Sequence, residues 1–192
     1  MAPRARWPFV LAAGWFVAVC ALGLTGATQS LRPPLPQVLV VVITIALILA
    51  YGLSSSLRAW TRSFTLNELV GFHLVRFVGF EFLLLAYSGI MPNLFAIPAG
   101  LGDVAVAIAA FFLVASGPVE KKPVLARLWN IVGFVDILLV VYGAARMGMA
   151  DRHSMLGLLT FPNCLTPLFL VPLIFAVHLL IFGRLSRQPD RA

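Results

Sequence analysis

The segment LNELVGFHLVRFVGFEFLLLAYSG, residues 66–89, decides the fold. It is long and apolar enough for a helix that crosses a hydrocarbon core, which takes about 20 residues, yet it carries Glu68, His73, Arg76 and Glu81. A charge at mid-bilayer costs about 2.5–3.5 kcal/mol on insertion scales, so these side chains must face protein or water. The rest of the chain has to supply those surroundings.

Its composition suits that task. The 192 residues are 61% hydrophobic and 11% charged, with a mean hydropathy of +1.00, against about 45–50% and about 25% in soluble domains. A water-soluble globule would lack a polar surface. Apolar runs near spanning length fall at about 7–26, 38–56, 66–89, 98–116, 126–146 and 165–183. Runs such as VLVVVITIALILA are apolar on every side and do not alternate as barrel strands do. The expected fold is all-α, a polytopic membrane bundle of six transmembrane helices forming one domain over residues 1–192. The longest joint, about 147–164, leaves room for an interfacial helix or a re-entrant turn only.

Basic residues set the expected orientation, N-in and C-in, in a cytoplasmic (inner) membrane. Arg4, Arg6, Arg58, Arg62, Lys121, Lys122, Arg127, Arg184, Arg187 and Arg191 then fall inside, and Arg32, Arg146 and Arg152 outside. Arg76 belongs to neither side. This excess explains the net charge of +7 through contact with anionic lipid. No basic stripe with interleaved aromatics points to nucleic acid. Arg4, Arg6 and the small residues TGA at 25–27 resemble a secretory signal, but the apolar part exceeds the usual 7–15 residues, so the segment is read as a retained helix. Cys20 and Cys164 lack any metal-ligand spacing and read as small apolar side chains.

Two stretches resemble each other: RFVGFEFLLLAYSG at 76–89 and NIVGFVDILLVVYG at 130–143. Each leads to a Pro-Asn turn, MPN at 91–93 and FPN at 161–163, and the first hairpin turns on RPPLP. Three two-helix hairpin repeats, related by duplication or by convergence on one turn chemistry, would give this pattern. Gly71, Gly79 and Gly133 are expected to let neighbouring backbones approach.

The costly residues divide by position. TLNE at 65–68 is a capping box, which assigns Glu68 to the start of its helix. Arg76 lies about 15 Å deep at 1.5 Å per residue and needs an anion. Asp136, at nearly the same depth on the fifth helix, is its expected first partner. Glu81 and Asp103 share a level nearer the outer face, although Asp103 also suits the dipole at the start of a helix opening with PAGLGD. Asn130 stands where Arg76 does in the repeat and reads as an interhelical hydrogen-bonder. Three acids against one guanidinium cannot all ionise cheaply, so a proton, water or a cation must join them. Arg76, Glu81, Asp103, Asp136 and Asn130 therefore form the expected proton or substrate pathway, with static interhelical bonding as the alternative. His73 and His178 lie at one depth and would be placed to ligate a haem b, or else simply to hydrogen-bond. No other cofactor or metal is expected, and His153 falls in an outer loop.

These features favour a small proton-coupled transporter or channel. An accessory structural subunit of a membrane complex, and a haem-binding or lipid-active membrane protein, are the alternatives. There is no nucleophile elbow, no HExxH and no P-loop, so an enzyme is the weaker reading. The expected partners are the lipid bilayer, a small solute or proton, and further copies or subunits in the membrane.

Overall fold

Residues 5–187 are described here from a computed structural model, so Arg4 and Arg191 lie outside the described residues. The described chain is helical and contains no strand. Among the described residues, six helices are long and apolar enough to cross a membrane: Trp7–Leu24, Leu35–Leu53, Leu66–Tyr87, Asn93–Ala115, Pro123–Ala150 and Thr166–Leu185. In chain order the α-elements are α1 Trp7–Leu24, α2 Leu35–Leu53, α3 Ser55–Arg62, α4 Leu66–Phe72, α5 Gly79–Tyr87, α6 Asn93–Ala115, α7 Pro123–Ala150, α8 Leu156–Leu159 and α9 Val171–Leu185.

Several boundaries differ from expectation for local reasons. The third long helix is broken, because α4 passes into α5 through a 3-10 segment, His73–Val78. The sixth opens with a π-helical turn, Thr166–Leu170. Helix α6 begins at Asn93, so Pro98 lies inside it and does not start it; the lost N–H costs one bond to the preceding turn. Helix α7 starts on Pro123, where a missing N–H is harmless, and runs for 28 residues to Ala150. At about 42 Å it is longer than a hydrocarbon core of about 30 Å is thick. The short helix α3 was not expected at all; Ser54 starts it by accepting from Leu57 N–H at 3.1 Å. The capping box at Thr65 and Glu68 is present as expected.

Hydrogen bonds define two ends of the bundle. At one, Arg184 donates to Phe64 O at 2.9 Å and to Thr61 O at 2.7 Å, while Glu120 accepts from Leu66 N–H at 3.0 Å. This end carries Arg58, Arg62, Lys121, Lys122, Arg127 and Arg187 and is called the basic end below. At the opposite end, Thr28 donates to Leu159 O at 2.6 Å and Arg152 to Gln29 O at 2.9 Å. Here the joint after α7 folds as a 3-10 turn, His153–Met155, then α8, which closes over the bundle. The Pro33–Pro34 and Phe161–Pro162 peptide bonds are cis.

The four long helices after α2 enclose the core. One apolar cluster, with Phe82, Phe95, Ile137 and Ile174, fills the half away from the basic end. A second, with Leu69, Ala110, Trp129 and Ile181, fills the basic half. Helices α1 and α2 pack loosely on this core: only Pro8, Val19 and Gly23 of α1, and Pro36 and Val40 of α2, are buried. Large apolar side chains elsewhere, such as Val17, Leu49, Leu84, Phe112 and Leu139, stand exposed around the bundle.

Glycines set a close helix contact. A Cβ at Gly79 would lie 2.6 Å from Gly100 O, and one at Gly100 would lie 2.6 Å from Gly79 O, so α5 and α6 meet backbone to backbone. Gly133 is likewise tight, with His178 Cε1 at 2.8 Å from its would-be Cβ. Gly71 corrects the expectation made for it, since nothing lies within 4 Å of that position.

Candidate functional site

Between the two apolar clusters lies a layer of buried polar side chains. Its geometry begins with the 3-10 break. A 3-10 helix turns once every three residues and so stacks i and i+3 on one line. His73 and Arg76 thereby share a face, and both are completely buried. Burial in fact recurs at every third residue, Val70, His73, Arg76, Gly79 and Phe82, which an uninterrupted α-helix would spread around its surface.

Arg76 reaches two helices, α6 and α7, with its guanidinium. Its Nε donates to Asp103 Oδ1 at 2.7 Å, its Nη1 to Gly133 O at 2.8 Å, and its Nη2 to Asp136 Oδ2. The expected pairing with Asp136 is therefore present, and Asp103 joins it. Asp103 is 3% exposed, and it stands ten residues beyond Asn93 (93 to 103), the first residue of α6. The helix dipole acts only over the first turn, so Asp103 answers to Arg76 and not to a helix start. The Asp136 side chain keeps 21% exposure. Gly102 admits it: a Cβ there would overlap the Asp136 carboxylate.

His178 and Asn130 extend the layer. Asn130 Nδ2 donates to His178 O at 3.1 Å, and its Oδ1 lies 2.7 Å from His178 Nδ1. The amide oxygen can only accept, so Nδ1 carries the hydrogen and the Nε2 lone pair faces Arg76 Nη1 at 3.5 Å. That tautomer makes the imidazole neutral and complementary to the guanidinium. Asn130 thus has the interhelical role expected of it.

His73 is the anomaly. It is completely buried, yet neither ring nitrogen has a hydrogen-bond partner among the described residues. Its ring lies 4.1 Å from that of His178, centroid to centroid, and 5.0 Å from Trp129, whose own N–H is occupied by Val106 O at 3.1 Å. Buried polar atoms are seldom left this way, since each unmet one costs about 1–3 kcal/mol.

The same distance corrects the haem expectation. Two axial histidines must stand on opposite faces of a macrocycle with iron between them. Rings in contact at 4.1 Å leave no plane for it, and both nitrogens of His178 already face protein groups. Among the described residues, no group of three or more His, Cys, Asp or Glu could hold a metal ion. Cys20 and Cys164 are free thiols.

Glu81 stays out of the layer. It is half-buried on α5 and makes no hydrogen bond or ion pair with Arg76 or its partners. Sequence reasoning also overlooked Gly102, the Gly133 carbonyl and Trp129. A glycine flanking an acid, as in GLGD at 100–103, is the signal that would have drawn attention to Gly102.

The class these features define is an all-helical bundle with six membrane-length apolar helices and one fully buried arginine clasped by two carboxylates. The chain belongs to the family described as "Domain of unknown function (DUF8737)", whose model matches residues 33–186. That match takes in every residue of the polar layer and leaves out α1. No curated protein and no solved structure matches the chain.

Proposed function

We propose that this is a multi-pass protein of the cytoplasmic membrane, basic end inward, in which the Arg76–Asp103–Asp136 cluster is the proton-exchanging site of a small proton-coupled transporter or channel. The observation that carries this reading is the charge imbalance of a buried cluster: one guanidinium faces two carboxylates, with a neutral imidazole alongside. An uncompensated negative charge is expensive between two apolar clusters, and a single proton removes it. Binding or releasing that proton would alter how Arg76 is shared between α6 and α7.

The backbone around the site supports such motion. The 3-10 segment carrying Arg76 and the π-turn opening the sixth long helix are irregular stretches of the sort found at functional hinges. Broken helices at mid-membrane are also a feature of transporters. His73, with two unclaimed nitrogens beside His178, offers hydrogen-bonding positions to a water or a small solute on the side of the basic end. The ten-to-three basic bias supports the orientation, eight of the ten being at the basic end or just beside it as Arg6, Arg58, Arg62, Lys121, Lys122, Arg127, Arg184 and Arg187.

The second reading is an accessory structural subunit in which the cluster only clamps helices. It is favoured by α1 and α2, with 17% and 11% of their spans buried, which leave wide apolar faces for neighbouring helices or lipid. Proteoliposomes with an entrapped pH dye separate the two. Under an imposed potential, and with small solutes added one at a time, the wild-type protein is expected to move protons. The triple variant R76M/D103N/D136N is expected to match protein-free vesicles. Wild-type vesicles that behave like protein-free ones under every condition would leave the structural subunit as the reading.

A further inference from the structure

A cavity of about 50 Å³ opens at the end opposite the basic one, between α2, α7, α8 and the start of the sixth long helix. Its walls are apolar, with Phe82, Phe95, Val140 and Ala144 among them. Among the described residues, only Gln37, Arg152 and Thr166 bring polar side chains to it. Two of these carry a buried polar atom with no partner: Gln37 Oε1 and Arg152 Nε. Arg152 is anchored through Nη2, which donates to Gln29 O at 2.9 Å, and its buried Nε–H is left without a partner at the edge of this apolar space.

We propose that this cavity binds a short aliphatic monocarboxylate, its tail among the apolar walls and its carboxyl group on Arg152 and Gln37. Arg152 Nε–H donates to one carboxyl oxygen, a charge-assisted bond that selects an anionic or acidic head over a hydroxyl. Gln37 takes the other oxygen, because its amide presents either a donor or an acceptor after a half-turn. The size follows from the volume. At roughly 10–15 Å³ per water-sized sphere, about 50 Å³ accommodates some three to five heavy atoms, the tail of isovalerate and not that of a membrane fatty acid. Water alone suits the space poorly, since a buried water needs two to four polar partners and the walls offer few.

The site is separate from the Arg76 layer, and the inference goes beyond the proton-exchange reading. Binding is measured without flux, so either can fail alone. The experiment is a saturation-transfer NMR titration of isovalerate against the full-length protein in detergent micelles, with 3-methyl-1-butanol and octanoate as comparisons. Saturable binding of isovalerate is expected, with the alcohol and octanoate each weaker by about tenfold or more. Arg152→Gln should weaken isovalerate by a similar factor, and Ala144→Phe, which fills the cavity from the far side, should abolish binding. Absence of saturable binding, equal affinity for the alcohol or octanoate, or unchanged affinity in either variant overturns the proposal. Arg152→Gln decides alone if Ala144→Phe does not fold.

Discussion

Arg76→Met is expected to destabilise the protein by about 3–5 kcal/mol, the cost of leaving buried charge without its partner. The methionine fills most of the space, so lost packing is a small part of this. What remains is two carboxylates, one of them 3% exposed, with no cation between them. The triple variant R76M/D103N/D136N should recover most of the loss, because replacing a whole buried charge group by neutral side chains is often nearly neutral. An interhelical polar contact that served only as glue would cost under about 2 kcal/mol. Thermal melting followed by size-exclusion chromatography in detergent ranks the three proteins. A single variant as stable as the wild type, or a triple variant no better than the single, would remove the electrostatic account of the layer.

Gly100→Val is expected to be nearly as damaging, for a steric reason. Its Cβ would meet Gly79 O at 2.6 Å and Leu83 at 2.9 Å. A side chain can rotate away but a carbonyl in a helix cannot, so α5 and α6 must separate. Overpacking of this sort costs about 1–3 kcal/mol or more. The consequence reaches the site, because Asp103 lies one turn along α6 and moves with it away from Arg76. Gly71→Val is the control: with nothing within 4 Å of that position, it should melt within about 0.5 kcal/mol of the wild type. Comparable losses in both variants would mean that the Gly79–Gly100 contact is not the cause, and helix propensity would not supply one, since valine is a better helix former than glycine.

The long helices were legible because apolar runs of spanning length leave little choice of structure. Depth counting also served for Arg76 and Asp136, which need only lie at one level on neighbouring helices to meet. The same counting misplaced Asp103, because it began at Pro98 whereas α6 begins five residues earlier, at Asn93. That error joined Asp103 to Glu81 and hid its bond to Arg76. The helix break was illegible to hydropathy, which does not distinguish 3-10 from α backbone. Its trace is the row Val70, His73, Arg76, Gly79 and Phe82, recognisable only once burial is known. For the histidines, equal depth was correct but said nothing of separation, and contact between the rings excludes the macrocycle that equal depth suggested.

On the proposed mechanism the buried layer holds one exchangeable proton on its carboxylates. Difference infrared spectroscopy of the protein in lipid, recorded across pH, tests this most directly through the C=O stretch of protonated carboxyl groups. The account predicts one titrating carboxyl band that disappears or shifts in Asp103→Asn or Asp136→Asn and persists in Glu81→Gln. A spectrum without such a band at any pH, or a band removed by Glu81→Gln alone, would contradict it.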